Sequence, residues 1–120
     1  MEVKFFLDTY ALIEIIRGNP AYKKFEGEEL FTSILNLYEL HYILLKSGKI
    51  EEAKAYFFSF RGFLIEIKDD HIFSASAFKL QNKTASYADC LGYSIALLSS
   101  MKFLTGDRLF EGLENVEFVK

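Results

Sequence analysis

Short apolar runs alternate with longer amphipathic stretches along this chain, and that alternation constrains its fold more than any other feature. Residues 3–7 (VKFFL), 29–33 (ELFTS), 63–67 (FLIEI), 102–106 (KFLTG) and 116–119 (VEFV) read as five strands. The run at 3–7, rich in aromatics, suits a strand buried on both faces. Between these runs the spacing becomes helical. "TYALIEIIRG" carries apolar residues at 12, 13, 15 and 16, and "NLYELHYILLKSG" sets Leu37, Leu40, Ile43 and Leu44 on one face. "KIEEAKAYFFSFRG", "DDHIFSASAFKLQNK" and "SYADCLGYSIALLSS" read as three further helices. Gly18 and Asn19, followed by the sole proline, Pro20, form a helix stop. Strands joined through helices require right-handed crossovers, which build a parallel sheet covered by helices on both faces. The expectation is a single α/β domain over residues 1–120, three layers deep, around a mainly parallel five-stranded sheet.

Composition excludes several function classes. Half of the residues are hydrophobic (51%) and 13 are phenylalanine, so a packed core is expected and disorder is not. A net charge of −3 argues against a passive nucleic-acid binder, which ordinarily presents a basic face. It leaves room for an enzyme whose acidic site is neutralised by bound cations. The single cysteine, Cys90, forbids an internal disulfide and fits a reducing compartment. The segment "MEVKFFLDTYALIEIIRG" lacks the apolar core and cleavage site of a signal peptide, and no apolar run approaches the roughly 20 residues that span a bilayer. A cytoplasmic protein without membrane contact is expected.

The chain twice sends a lysine-led apolar run toward an aspartate, in "KFFLDT" (4–9) and "KFLTGD" (102–107). In a parallel sheet the working site lies beyond the carboxyl ends of the strands, where strand order reverses. Asp8 and Asp107 stand at such ends. Glu39 in "NLYE" and Asp89 in "SYAD" fall three residues after Asn36 and Ser86, which read as helix N-caps. Each acid alone has a plain explanation: Asp8 and Asp107 as caps, Glu39 and Asp89 at capping-box spacing. Together they mean more, because helices that follow parallel strands all begin at one rim of the sheet. Carboxylates gathered within about 4–6 Å cannot all stay ionised without a cation. Such hard oxygen ligands suit Mg²⁺ or Mn²⁺, and Mg²⁺ is usually completed by water and phosphate oxygens.

These residues carry a resemblance. "FLDTYALIEIIRG", "SILNLYELHYIL", "SYADCLGYSIAL" and "FLTGDRLFEGL" followed by "VEFV" are similar, in order and spacing, to the motifs of the PIN domain family, and in particular to VapC-like toxin ribonucleases. The resemblance implies a PIN-like fold and a Mg²⁺- or Mn²⁺-dependent endoribonuclease, the toxin of a toxin–antitoxin pair. It implies catalytic roles for Asp8, Glu39, Asp89 and Asp107, with the metal held by Asp8, Asp89 and Asp107. Thr9 and Thr105 would hold a ligand carboxylate or a water, or else serve as ordinary strand-end threonines. RNA would be the substrate, with a homodimer contact and an antitoxin as protein partners. Two other readings stay open: an RNA-processing nuclease of the same family without an antitoxin, and a non-catalytic receiver-type or scaffold domain that binds Mg²⁺. Whether one metal or two act is also open.

The remaining chemistry-bearing residues have bland readings. Arg17, Lys46, Lys49 and Arg108 are candidates for phosphate contacts but read first as solvated surface. His41 and His71 have no second ligand at metal spacing. Cys90 reads as a buried small thiol rather than a nucleophile. "YFFSF" (56–60) could stack bases, though core or interface packing is the commoner fate of such a cluster.

Overall fold

The computed structural model describes residues 3–120. Strand β1 (Lys4–Leu7) leads into helix α1 (Thr9–Arg17), a 3₁₀ segment (Pro20–Phe25) and strand β2 (Glu29–Phe31). Helices α2 (Ile34–Lys46), α3 (Ile50–Phe60), α4 (Asp69–Gln81) and α5 (Tyr87–Leu98) follow. Strand β3 (Lys102–Thr105), a 3₁₀ turn (Arg108–Phe110) and strand β4 (Val116–Phe118) complete the order. The four strands form one parallel sheet in the order β2-β1-β3-β4. Among the described residues no helix is long and apolar enough to cross a membrane.

Strand alternation builds two cores. Phe5 and Leu7 on β1, with Leu104 on β3, face α1, α2 and α3, where they pack with Leu12, Leu37 and Leu40. Phe6 and its register partner Phe103 face the opposite side, against Tyr93 and Ile95 of α5 and Ala75 of α4. Their rings stack with centroids 6.0 Å apart. Three layers therefore arise from the two-residue period of β1 and β3. Helix α1 ends at Gly18, whose left-handed backbone (φ 74°) lets its amide return to the last turn, as the stop signal in the sequence requires.

The expected five strands become four. Residues 63–67 do not form a strand: Arg61–Phe63 is a 3₁₀ turn, and only a single parallel bridge joins Leu64 to Thr32. The reason lies in the edge available to it. β2 ends at Phe31 and Ser33 already caps α2, so Thr32 alone is left to pair, accepting from Ile65 N–H at 3.0 Å and donating to the Phe63 carbonyl at 3.0 Å.

Chain direction across the sheet fixes where a site can form. From β1 the chain crosses to β2 on one side, then returns past β1 to β3 on the other. The reversal falls between β1 and β3, whose carboxyl ends lead directly into Asp8 and Asp107.

Candidate active site

Asp8 follows β1 and caps α1, with Oδ1 accepting the Ala11 N–H at 2.8 Å. Its other oxygen, Oδ2, accepts the hydroxyl of Thr105, the last residue of β3. Thr105 Oγ1 in turn accepts the backbone N–H of Asp107 at 3.0 Å. One hydroxyl thus joins the acids at the ends of the two central strands. Asp107 caps the short 3₁₀ turn through the Leu109 N–H at 3.0 Å. Both aspartates are caps, as one reading of the sequence has them, and capping engages only one oxygen of each carboxylate.

The glycine in "TGD" has a steric cause. A Cβ at Gly106 would stand 2.2 Å from the Tyr10 ring and 2.6 Å from the Val119 carbonyl oxygen. Only glycine lets α1 and the end of β4 close over this turn.

Asp89 lies in the first turn of α5, whose cap Ser86 accepts the Asp89 N–H at 3.0 Å. Glu39 is placed differently from the sequence expectation. Helix α2 begins at Ile34 with Ser33 as its cap, so Asn36 lies inside the first turn and Glu39 in the second. Asn36 is fully buried and bonds both ways, taking the Ser33 hydroxyl at 2.6 Å and donating to Thr9 Oγ1 at 3.1 Å. Thr9 is therefore engaged in bracing the start of α1 against α2. Sequence reasoning missed this role of Asn36. Its signal was the serine three residues before it, which outranks asparagine as the cap once the helix is known to start earlier.

The four acids are electrically coupled. Burial, first of all, raises the Asp8 carboxyl well above the usual range, and repulsion from Asp89 and Asp107 adds to it, while Thr105 and the Ala11 amide pull it down. Asp89 is pushed up to about 7 by burial, then by Glu39 and Asp107, against a lowering hydrogen bond from Ser86. Among the described residues, ion pairs join Lys4 to Glu29 and Arg17 to Glu14, and neither involves these four acids. Hard oxygen donors with no ion-pair partner among the described residues have the donor chemistry for Mg²⁺ or Mn²⁺. No three of the described side chains are drawn together into a ready-made metal cage.

Other residues take structural places. His71 is buried and its Nδ1 accepts the Lys68 N–H at 2.9 Å, closing the start of α4. His41 lies edge-on to Phe57. Cys90 is buried in the core beneath α5, where burial raises its thiol. Of the aromatic run on α3, Phe60 is buried and Phe58 is exposed. Arg17 is paired with Glu14 at 3.3 Å, Lys46 lies over the Tyr42 ring, and Lys49 and Arg108 are exposed.

The parallel α/β sheet carries Asp8 and Asp107 at its switch point, between β1 and β3. The chain belongs to the PIN domain family, whose profile matches residues 5–115. Its fold is similar to that of a toxin–antitoxin complex from Klebsiella pneumoniae (19% identity, TM-score 0.72, covering 93% of this chain and 94% of that one). It is similar to VapBC2 of Rickettsia felis, solved bound to a DNA fragment from its promoter (20% identity, TM-score 0.73, 98% of each chain). It is also similar to VapC20 of Mycobacterium tuberculosis, a toxin that cleaves the sarcin–ricin loop (16% identity, TM-score 0.74, 96% of each chain). Among curated proteins no sequence matches.

Proposed function

We propose that this chain is a divalent-metal-dependent endoribonuclease of the VapC kind, acting as the toxin of a toxin–antitoxin pair. The observation that carries the reading is the joining of Asp8 and Asp107 through Thr105, at the switch point of a PIN domain, with Asp89 repelling Asp8 and itself repelled by Glu39 and Asp107. Asp8, Asp89 and Asp107 would hold Mg²⁺ or Mn²⁺, with Glu39 completing the negative rim. When bound, the cation supplies activation of water and neutralisation of charge at the phosphodiester.

The chain's own residues do the rest. Thr105 and the Ala11 amide fix the orientation of the Asp8 carboxylate, so its position is set before substrate arrives. The same hydroxyl fixes the turn that presents Asp107. Ser86 fixes the first turn of α5 and therefore Asp89. Asp89, with its pKa near neutrality, would give up its proton on metal binding, so the site is neutral enough to fold and anionic enough to ligate.

The antitoxin assignment rests on similarity in fold to toxins solved in such complexes. Exposed apolar side chains on the helices, among them Ile34, Phe58, Phe73 and Leu80, are consistent with protein partners, including a second copy of the chain. The test is cleavage of a panel of single-stranded RNAs by the purified protein in Mg²⁺, Mn²⁺ or EDTA. Cutting that needs a divalent cation and disappears in Asp8→Asn is expected. Cutting that survives EDTA, or is the same in the variant, would refute the proposal.

A further inference from the structure

Next to Glu39 runs a groove of about 560 Å³, walled on one side by α2 and on the other by the α4–α5 turn and the start of α5. Leu35, Tyr38, Glu39 and Tyr42 are spaced as one helical stripe along the α2 wall. The facing wall holds Lys79, Lys83 and Tyr87. In a soluble fold large aromatics are usually half-covered, yet Tyr38, Tyr42 and Tyr87 are 67%, 56% and 73% exposed. Tyr87 also lines a second hollow together with Lys79 and Lys83, so its ring stands as the wall between two recesses.

The ring is mounted on a braced support. Lys79 Nζ donates to the carbonyls of Ala85 at 2.7 Å and Lys83 at 3.2 Å, tying down the turn before α5. The same ammonium sits 4.6 Å from the Tyr87 ring centroid. Lys46 stands over Tyr42 in the same manner, at 5.9 Å. Exposed rings with cations beside them combine the two elements of sequence-tolerant single-strand binding: faces on which bases stack and charges that follow the backbone. In a chain of net charge −3, lysines lining this groove favour an anionic occupant over a basic or purely apolar one, and the exposed tyrosine faces favour one that carries bases to stack.

We propose that the groove between α2 and the α4–α5 turn binds single-stranded RNA, with a base stacked on Tyr87 and a phosphate at Lys83, leading the strand to Glu39. The inference rests on the nuclease reading for the identity of the polynucleotide. Tyr87 and Lys83 are binding residues; Lys79 is a positioning residue that acts through the turn.

The experiment measures binding of a short, mixed-sequence, fluorescently labelled single-stranded RNA by anisotropy, in Mg²⁺ and on an Asp8→Asn background. Tyr87→Ala should weaken binding by about ten-fold, the loss of one stacked base, while Tyr87→Phe keeps the affinity. Lys83→Gln should reduce the slope of log affinity against log salt by about 0.7, one phosphate contact on a single strand. Tyr87→Ala binding as tightly as its parent overturns the inference, and so does an Asp8→Asn parent that binds no RNA. Loss of a protein partner by Tyr87→Ala with RNA affinity unchanged would make the groove a protein-docking surface instead. The nuclease reading is judged separately, by wild-type cleavage in Mg²⁺. RNA bound through Tyr87 but never cut would keep the groove and discard the nuclease. Cutting that is indifferent to Tyr87 and Lys83 would do the reverse.

Discussion

The Thr105 hydroxyl donates to the Asp8 carboxylate across the two central strands and accepts the Asp107 N–H, so one side chain ties the first of the four acids to the last. The bond also lowers the Asp8 carboxyl against the burial that raises it. Thr105→Val keeps the shape and removes the hydroxyl. Asp8 should then rise further, so the acidic limb of the pH–rate profile should move to higher pH. Cleavage near neutrality should fall about ten-fold, by the roughly 1.4 kcal/mol such a bond can carry. A profile with an unmoved acidic limb would show that this bond does not set the charge state of Asp8.

The raised carboxyls predict an unusual pH dependence of stability without metal. For Asp89 the folded value is about 7 against an ordinary 3.8. Between these values the folded chain holds a proton that the unfolded chain has lost, so stability falls as pH rises through that window. The contribution is present in full below about 4, is lost by about 7, and is bounded at about 4 kcal/mol. Asp8 acts in the same direction. Thermal melts of the metal-free protein should show a falling melting temperature from pH 5 to pH 7, on the order of several degrees, and Asp89→Asn should flatten the curve. Added Mn²⁺ should raise the melting temperature more at pH 7 than at pH 5, because metal competes with the proton. A metal-free protein most stable near neutrality would contradict this.

Asn36 gives a test of the frame beneath the site. Asn36→Ala leaves the Ser33 hydroxyl and Thr9 without their buried partner, which should cost about 1–3 kcal/mol. Chemical denaturation measures it. A change below about 0.5 kcal/mol would mean the bonds are replaced by others.

Gly106→Ala tests the close approach at the site. The added methyl meets both a side chain, Tyr10, and a backbone oxygen, that of Val119. Destabilisation of about 2 kcal/mol or more is expected, with only partial relief in the Gly106→Ala, Tyr10→Ala double variant, since the carbonyl cannot be trimmed away. Full relief in the double variant would place the whole clash on the ring.

What the sequence disclosed follows from which signals are local. The strands at 4–7 and 102–105 were legible because both alternate into two cores and end at aspartates. Residues 63–67 misled because apolar composition cannot reveal that β2 offers a single free edge residue, Thr32. The α2 boundary slipped because Asn36 is a good cap by type, while Ser33 is the better cap by position. The four acids were visible as a set. Thr105 was expected to hold a ligand carboxylate or a water, but that the carboxylate is Asp8 was not legible, since residues 8 and 105 meet only once β1 and β3 are neighbours. The groove tyrosines were invisible for the same reason, being spread over α2 and the start of α5.

The central claim is that four coupled carboxylates form one divalent-metal site. Calorimetric titration of Mn²⁺ into wild type, Asp8→Asn and Asp89→Asn near pH 6.5, in two buffers of different ionisation heat, tests it most directly. Saturable binding with proton release is expected in the wild type, with weaker binding and less proton release in both Asp8→Asn and Asp89→Asn, since each removes a ligand and a raised carboxyl. Mn²⁺ binding that is equal in all three proteins, or absent from the wild type, would contradict it.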